Sequence, residues 1–98
     1  MDKYPIKIKL LKTKDMVYFS QLDLIIILER ALRRAKLPLY YTQGFRPHPK
    51  LSFKKALKVG VEGEEEITIY FSKEIEIQKV ITSLKEQLPS GLEILETF

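Results

Sequence analysis

The chain has 98 residues, 45% of them hydrophobic and 31% charged, with a net charge of +4 and no cysteine. That length suits a single small domain with one modest core. The missing cysteine excludes disulfide scaffolds, zinc fingers, iron–sulfur clusters held by this chain and thiol nucleophiles. The longest uninterrupted apolar run, Leu24 to Leu28, is too short to span a bilayer, and Met1-Asp2-Lys3 lacks the apolar core of a signal peptide. These features predict a soluble cytoplasmic domain with no membrane association.

The net charge conceals an asymmetry. Residues 1–60 carry fourteen Lys/Arg against four Asp/Glu, whereas residues 61–98 carry three against nine. A basic half can attract a polyanion, and an acidic half can orient the encounter. Two solubilising surfaces that merely differ would give the same counts.

In chain order, Ile6, Ile8 and Leu10 alternate with Lys7 and Lys9, which predicts a strand with one buried and one basic face. Ser20-Gln21-Leu22-Asp23 has the form of a capping box with Asp at its third helical position. The stretch that follows, free of Gly and Pro up to Leu37-Pro38, predicts a helix over 21–36. Leu39-Tyr40-Tyr41-Thr42 is a short β-prone run closed by Gln43-Gly44, and a long irregular loop follows it. Ile67, Ile69 and Phe71 alternate with Thr68 and Tyr70 in another strand. Ile77, Val80, Ile81, Leu84 and Leu88 form one stripe of an amphipathic helix that Pro89-Ser90-Gly91 ends, and residues 92–98 supply a last strand.

The order β-α-β-β-α-β predicts an α+β domain over residues 1–98. Its simplest packing is a ferredoxin-like antiparallel sheet with both helices on one face. Right-handed crossovers place the first and third strands at the centre, with Lys7, Lys9, Thr68 and Tyr70 facing outward. Only Tyr70 there could stack a base as central-strand aromatics do in RNA-binding sheets. An open face covered by more protein is the alternative.

On the first helix, Leu24, Ile25, Leu28, Ala31, Leu32 and Ala35 gather on the core side. Asp23, Arg30, Arg33 and Arg34 lie on the other side, with Leu22 and Ile26 among them. Exposed arginines are commonly just a solvated face. Around two large apolar residues they predict a surface that something covers, whether the chain's own loop, a partner or nucleic acid.

The segment Gln43-Gly44-Phe45-Arg46-Pro47-His48-Pro49-Lys50, continued by Ser52, Phe53, Lys54 and Lys55, interleaves basic residues with aromatics. That pattern suits single-stranded nucleic acid. Phe45 and Phe53 could instead pin the loop to the core, and His48 could serve packing or hydrogen bonding. No phosphate loop, dinucleotide fingerprint or metal-ligand cluster is present. Ser20 or Ser52 with His48 and Asp23 supplies the residue types of a triad, but a triad is defined by geometry. No catalytic or metal-binding residue is assigned, and the chain reads as non-catalytic on its own.

Three segments carry a resemblance: Tyr18-Phe19-Ser20-Gln21-Leu22-Asp23-Leu24, then Glu29-Arg30-Ala31-Leu32-Arg33-Arg34-Ala35, then residues 37–49 from Leu37 to Pro49. Together with Ala56-Leu57 and Gly60-Val61-Glu62, they are similar to the radical SAM-linked proteins of the bacterial DUF2344 family. The chain resembles the N-terminal half of a longer family protein. The family usually has Ser-His-Leu-Asp where this chain has Ser20-Gln21-Leu22-Asp23, which argues for a binding or structural role at that place.

The resemblance implies an accessory module to a radical SAM protein. That partner would carry the iron–sulfur cluster and S-adenosylmethionine, with none bound by this chain. Family members lie beside genes for an RNase of the E/G type and for ribosomal proteins, which implies RNA or the ribosome as a target. Three expectations follow. Arg30, Arg33, Arg34, Gln43, Phe45, Arg46, His48, Lys50, Lys54 and Lys55 would form a basic surface for RNA or a nucleotide-bearing partner. Leu22, Asp23 and Ile26 would dock the radical SAM protein. Alternatively, His48, Asp23 and Gln43 would contribute to an active site shared with it.

Overall fold

A computed structural model describes residues 3–54 and 63–97. Strand β1 (Tyr4–Lys12) leads through a 3-10 turn (Lys14–Tyr18) into helix α1 (Gln21–Arg34). Strands β2 (Leu51–Phe53) and β3 (Gly63–Phe71), helix α2 (Ile77–Lys85) and strand β4 (Leu92–Thr97) follow. The four strands form one antiparallel sheet in the order β2-β3-β1-β4, with β1 and β3 at its centre.

Strand alternation decides which side of the sheet is wet. Ile6, Ile8 and Leu10 of β1 and Ile67, Ile69 and Phe71 of β3 are buried in one cluster with Leu28, Ala31 and Leu32 of α1 and Val80 and Leu84 of α2. Both helices therefore pack on the same face of the sheet. Burying each of these large aliphatic side chains contributes about 1.5–3 kcal/mol, which is what holds two short helices in place. Lys7, Lys9, Glu66, Thr68 and Tyr70 occupy the alternate positions, where no described element covers them. No helix of the described chain is long and apolar enough to cross a membrane.

Helix α1 starts where the sequence predicts. The Asp23 N–H donates to Ser20 Oγ at 3.1 Å, and the Ser20 N–H donates to Asp23 Oδ2 at 3.3 Å, closing the capping box. The helix ends two residues earlier than the predicted 36. Lys36 takes a left-handed conformation with φ of 56° and donates its N–H to the Arg33 carbonyl, turning the chain before Pro38 forces the issue. The 3-10 turn, which buries Met16 and Val17, carries no period that sequence reading picks up.

The second strand is where expectation and structure part. Leu39-Tyr40-Tyr41-Thr42 makes only isolated bridges, Leu39 to Phe71 and Tyr41 to Pro49. The ladder position beside β3 is taken by Leu51–Phe53, paired with Ile69 to Ile67. Leu51 and Phe53 point inward, partly buried, and pack on the core that Leu39 also enters, so the chain touches that core on both arms of the turn between them. The irregular segment Gln43–Pro47 thus precedes β2 instead of following the second strand. It is the tip of a small hairpin whose arms pair Thr42 with His48 and Tyr40 with Lys50.

Candidate binding surfaces on both sides of the sheet

The hairpin tip is held by its own polar groups. Thr42 donates its backbone N–H to the His48 carbonyl at 2.8 Å, and the His48 N–H donates back to Thr42 Oγ1 at 3.1 Å. Gly44, with φ of 131°, provides the backbone conformation of the tip. Phe45 is fully exposed, so it does not pin the loop to the core, whereas Phe53 does pack there. Gln43 and Arg46 are exposed beside it.

One contact fixes the tip against α1. His48 Nδ1 lies 3.4 Å from Glu29 Oε1, and the Glu29 side chain is only 18% exposed. The hairpin and the outer face of α1 are therefore neighbours. Arg33, one turn on from Glu29, is its neighbour on the helix surface, and Arg30 lies about 100° further round; both are exposed. Glu29 is the residue that sequence reading missed; its place one turn from Ile26 and Arg33 is the signal that could have found it.

Not every predicted residue joins this surface. Arg34 ties α1 to the turn after α2, donating from Nε to Gln87 Oε1 and from Nη2 to the Gln87 carbonyl, both at 3.1 Å. Asp23 has its carboxylate engaged by Ser20. It also lies six residues from Glu29, ~9 Å along the axis at 1.5 Å per residue, so His48 is drawn away from it. Lys50 and Lys54 project onto the open face of the sheet, as strand alternation requires. Lys50 Nζ sits 5.5 Å from the centroid of the Tyr70 ring, and Lys54 Nζ lies 3.4 Å from Glu66. Lys55 falls outside the described residues.

Leu22 and Ile26 are exposed on α1, at 66% and 40%. Tyr18 and Phe19, just ahead of the helix in sequence, are also exposed. Two clefts of ≈720 and ≈550 Å³ lie elsewhere, lined chiefly by residues 35–38, 73–79 and 4–6, 74–77, and neither takes in a predicted site residue.

The family model described as an uncharacterized protein conserved in bacteria (DUF2344) matches residues 5–98. The chain belongs to the DUF2344 family. No curated protein and no solved structure matches it. In this DUF2344 domain, then, the chemistry has to be read from the surfaces alone. The helix–hairpin side combines an exposed aromatic, three arginines without a partner among the described residues (Arg30, Arg33 and Arg46) and a carboxylate held by His48. Such a surface can bind phosphate or carboxylate through planar guanidinium groups and stack a flat ring on Phe45.

Proposed function

We propose that this domain is a non-catalytic binding module that acts in the cytoplasm beside a radical SAM enzyme and presents a basic surface to RNA. The strand order supports a ferredoxin-like reading of the fold, an architecture in which helices back a sheet and leave its edges and loops for ligands. The observation that carries the proposal is Phe45, fully exposed next to Arg46 on the hairpin that His48 joins to Glu29 of α1, whose outer face also bears Arg30 and Arg33. Exposing an aromatic ring to water is unfavourable, and basic groups around it are the combination that single-stranded nucleic acid rewards. The iron–sulfur cluster and S-adenosylmethionine would belong to the partner, since this chain has no cysteine to ligate a cluster.

The test is fluorescence anisotropy of the purified chain with a short single-stranded RNA, titrated with salt. Micromolar binding should weaken steeply, each phosphate contact adding about 0.7 to the slope of log K against log salt. Arg33→Glu should weaken binding and flatten that slope. Affinity that stays level between low and moderate salt refutes the RNA reading.

A second reading, docking of the radical SAM protein, draws on Leu22 and Ile26, exposed one turn apart on α1, with Tyr18 and Phe19 exposed just before the helix. Large apolar and aromatic residues beside arginines are the composition of protein interface cores. Capture of that protein should survive nuclease and fail on Ile26→Glu. Capture retained by Ile26→Glu removes this reading.

A further inference from the structure

Resting on the RNA reading, we infer that the open face of the sheet around Tyr70 is itself a base-stacking site, joined to Phe45 by the hairpin. Tyr70 lies on the central strand β3, opposite Pro5 of β1, and Lys7 lies opposite the neighbouring Thr68. Its ring carries Lys50 Nζ at 5.5 Å, and its hydroxyl is 3.4 Å from Ser52 Oγ. Tyr40 donates its backbone N–H to the Tyr70 carbonyl at 2.9 Å and carries Lys3 Nζ 5.5 Å from its own ring centroid. Two tyrosines and three lysines thus share one end of the face.

The acidic groups of the central strands fall at the other end. Glu64 is paired with Lys9 at 3.6 Å and Glu66 with Lys54 at 3.4 Å, so each carboxylate already has a cation. The charge left over is positive and sits with the tyrosines. A depression of ≈250 Å³ lined by Lys7, Ser52, Phe53, Lys54, Glu66 and Thr68 runs from there to the Lys54–Glu66 pair. That volume is small for a drug-sized ligand, and only its Lys7 end, away from the Glu66 carboxylate, suits a phosphate. A cation over an exposed ring is held less strongly than a stacked base, so a base displaces the ammonium toward the adjoining phosphate.

The path to the other side is short. Tyr40 and Lys50 are the roots of the hairpin whose tip bears Phe45. Five residues of extended chain reach ~17 Å at most, within the span of one short oligonucleotide. A strand stacked on Tyr70 therefore meets Lys50 at the hairpin root and Phe45 and Arg46 at its tip.

The experiment uses a fluorescent oligouridine of roughly ten nucleotides, within the site size of single-strand binding domains, and a deoxythymidine oligomer of equal length. Thermal melts first establish that each variant is folded. Tyr70→Phe keeps the ring and should bind within about twofold of wild type, whereas Tyr70→Leu should weaken binding by about tenfold. Lys7→Glu should lower the salt slope by about 0.7, the share of one single-strand phosphate contact. Backbone amide shifts of Lys7, Thr68 and Tyr70 should move on titration. Equal loss with both oligomers assigns the face to single strands in general; loss with the RNA alone assigns it to the ribose hydroxyl as well.

If Tyr70→Leu and Lys7→Glu bind like wild type while Phe45→Ala and Arg33→Glu do not, the sheet face is excluded and the helix–hairpin reading survives. Wild-type chain that binds neither oligomer overturns both. Capture of a protein partner that Lys7→Glu abolishes makes the face a protein interface and overturns this inference alone.

Discussion

Gly91 offers a test of the packing at the end of the sheet that leads into α1. Its φ is 99°, and a Cβ there would stand 2.5 Å from Met16 Cγ, 3.2 Å from Met16 Cβ and 2.8 Å from the Thr13 carbonyl oxygen. Met16 has a flexible side chain and can retreat. The Thr13 carbonyl cannot, because the Thr13 N–H is itself anchored on the Gly91 carbonyl at 2.9 Å. Gly91→Ala therefore adds overpacking, about 1–3 kcal/mol, to the backbone strain of an L-residue at that φ, about 1–3 kcal/mol. Gly44→Ala is the matched control: φ is 131°, but nothing lies within 4 Å of its Cβ, so only the strain remains. The entropy that alanine removes from the unfolded chain favours both variants about equally and cancels in the comparison. At about 4–8 °C per kcal/mol for a domain of this size, Gly91→Ala should melt roughly 4–24 °C below Gly44→Ala. Urea titration gives the same difference as a midpoint shift with unchanged slope. Equal melting points for the two variants would refute the close approach of residue 91 to the 3-10 turn.

Two further outcomes are expected. The Gln21 amide oxygen and nitrogen are buried with no hydrogen-bond partner among the described residues. Gln21→Met, which keeps the volume and removes the unsatisfied amide, should raise stability by about 1 kcal/mol in urea titration, and a loss of stability refutes that account. Arg34→Ala breaks the two hydrogen bonds to Gln87 and should cost about 1 kcal/mol. It should leave the salt slope of RNA binding unchanged, unlike Arg33→Glu. A flattened slope in Arg34→Ala would return that residue to the binding surface.

How far the sequence can be read depends on whether local chemistry and burial agree. At Ser20–Asp23 they agree, and the capping box is visible both ways. In β1 and β3 strict alternation encodes the buried face, so Lys7, Thr68 and Tyr70 lie outward as expected. At residues 39–53 they conflict. Leu-Tyr-Tyr-Thr has the stronger β propensity, yet it gives only the Leu39–Phe71 and Tyr41–Pro49 bridges, because the hairpin at 40–50 turns it away and leaves the ladder on β3 to Leu51–Phe53. The His48–Glu29 contact joins residues 19 apart through tertiary structure, so no local pattern announces it. Arg34 shows the converse: its helical position reads as free surface, and only the packing of α2 supplies Gln87 as its partner.

The charge asymmetry along the chain also changes meaning once the strands are ordered. Counted in sequence, a basic half precedes an acidic half, which suggests two opposed poles. In the sheet, β3 and β4 flank basic β1, so Lys9 is in register with Glu66 on one ladder and with Glu96 on the other. Topology interleaves the two halves, and on the described face Lys9 pairs with Glu64 and Lys54 with Glu66. What escapes cancellation is set by the hairpin between residues 40 and 50, which puts Lys50 over the Tyr70 ring on the sheet face and His48, two residues earlier, against Glu29. The basic residues that looked like one surface in sequence are thereby divided between two, with Phe45 and Arg46 at the hairpin tip. A ligand reading both sides must be long, flexible and anionic, and it must offer flat rings at intervals. A single strand of RNA meets those conditions, whereas a compact acidic protein could engage only one side at a time.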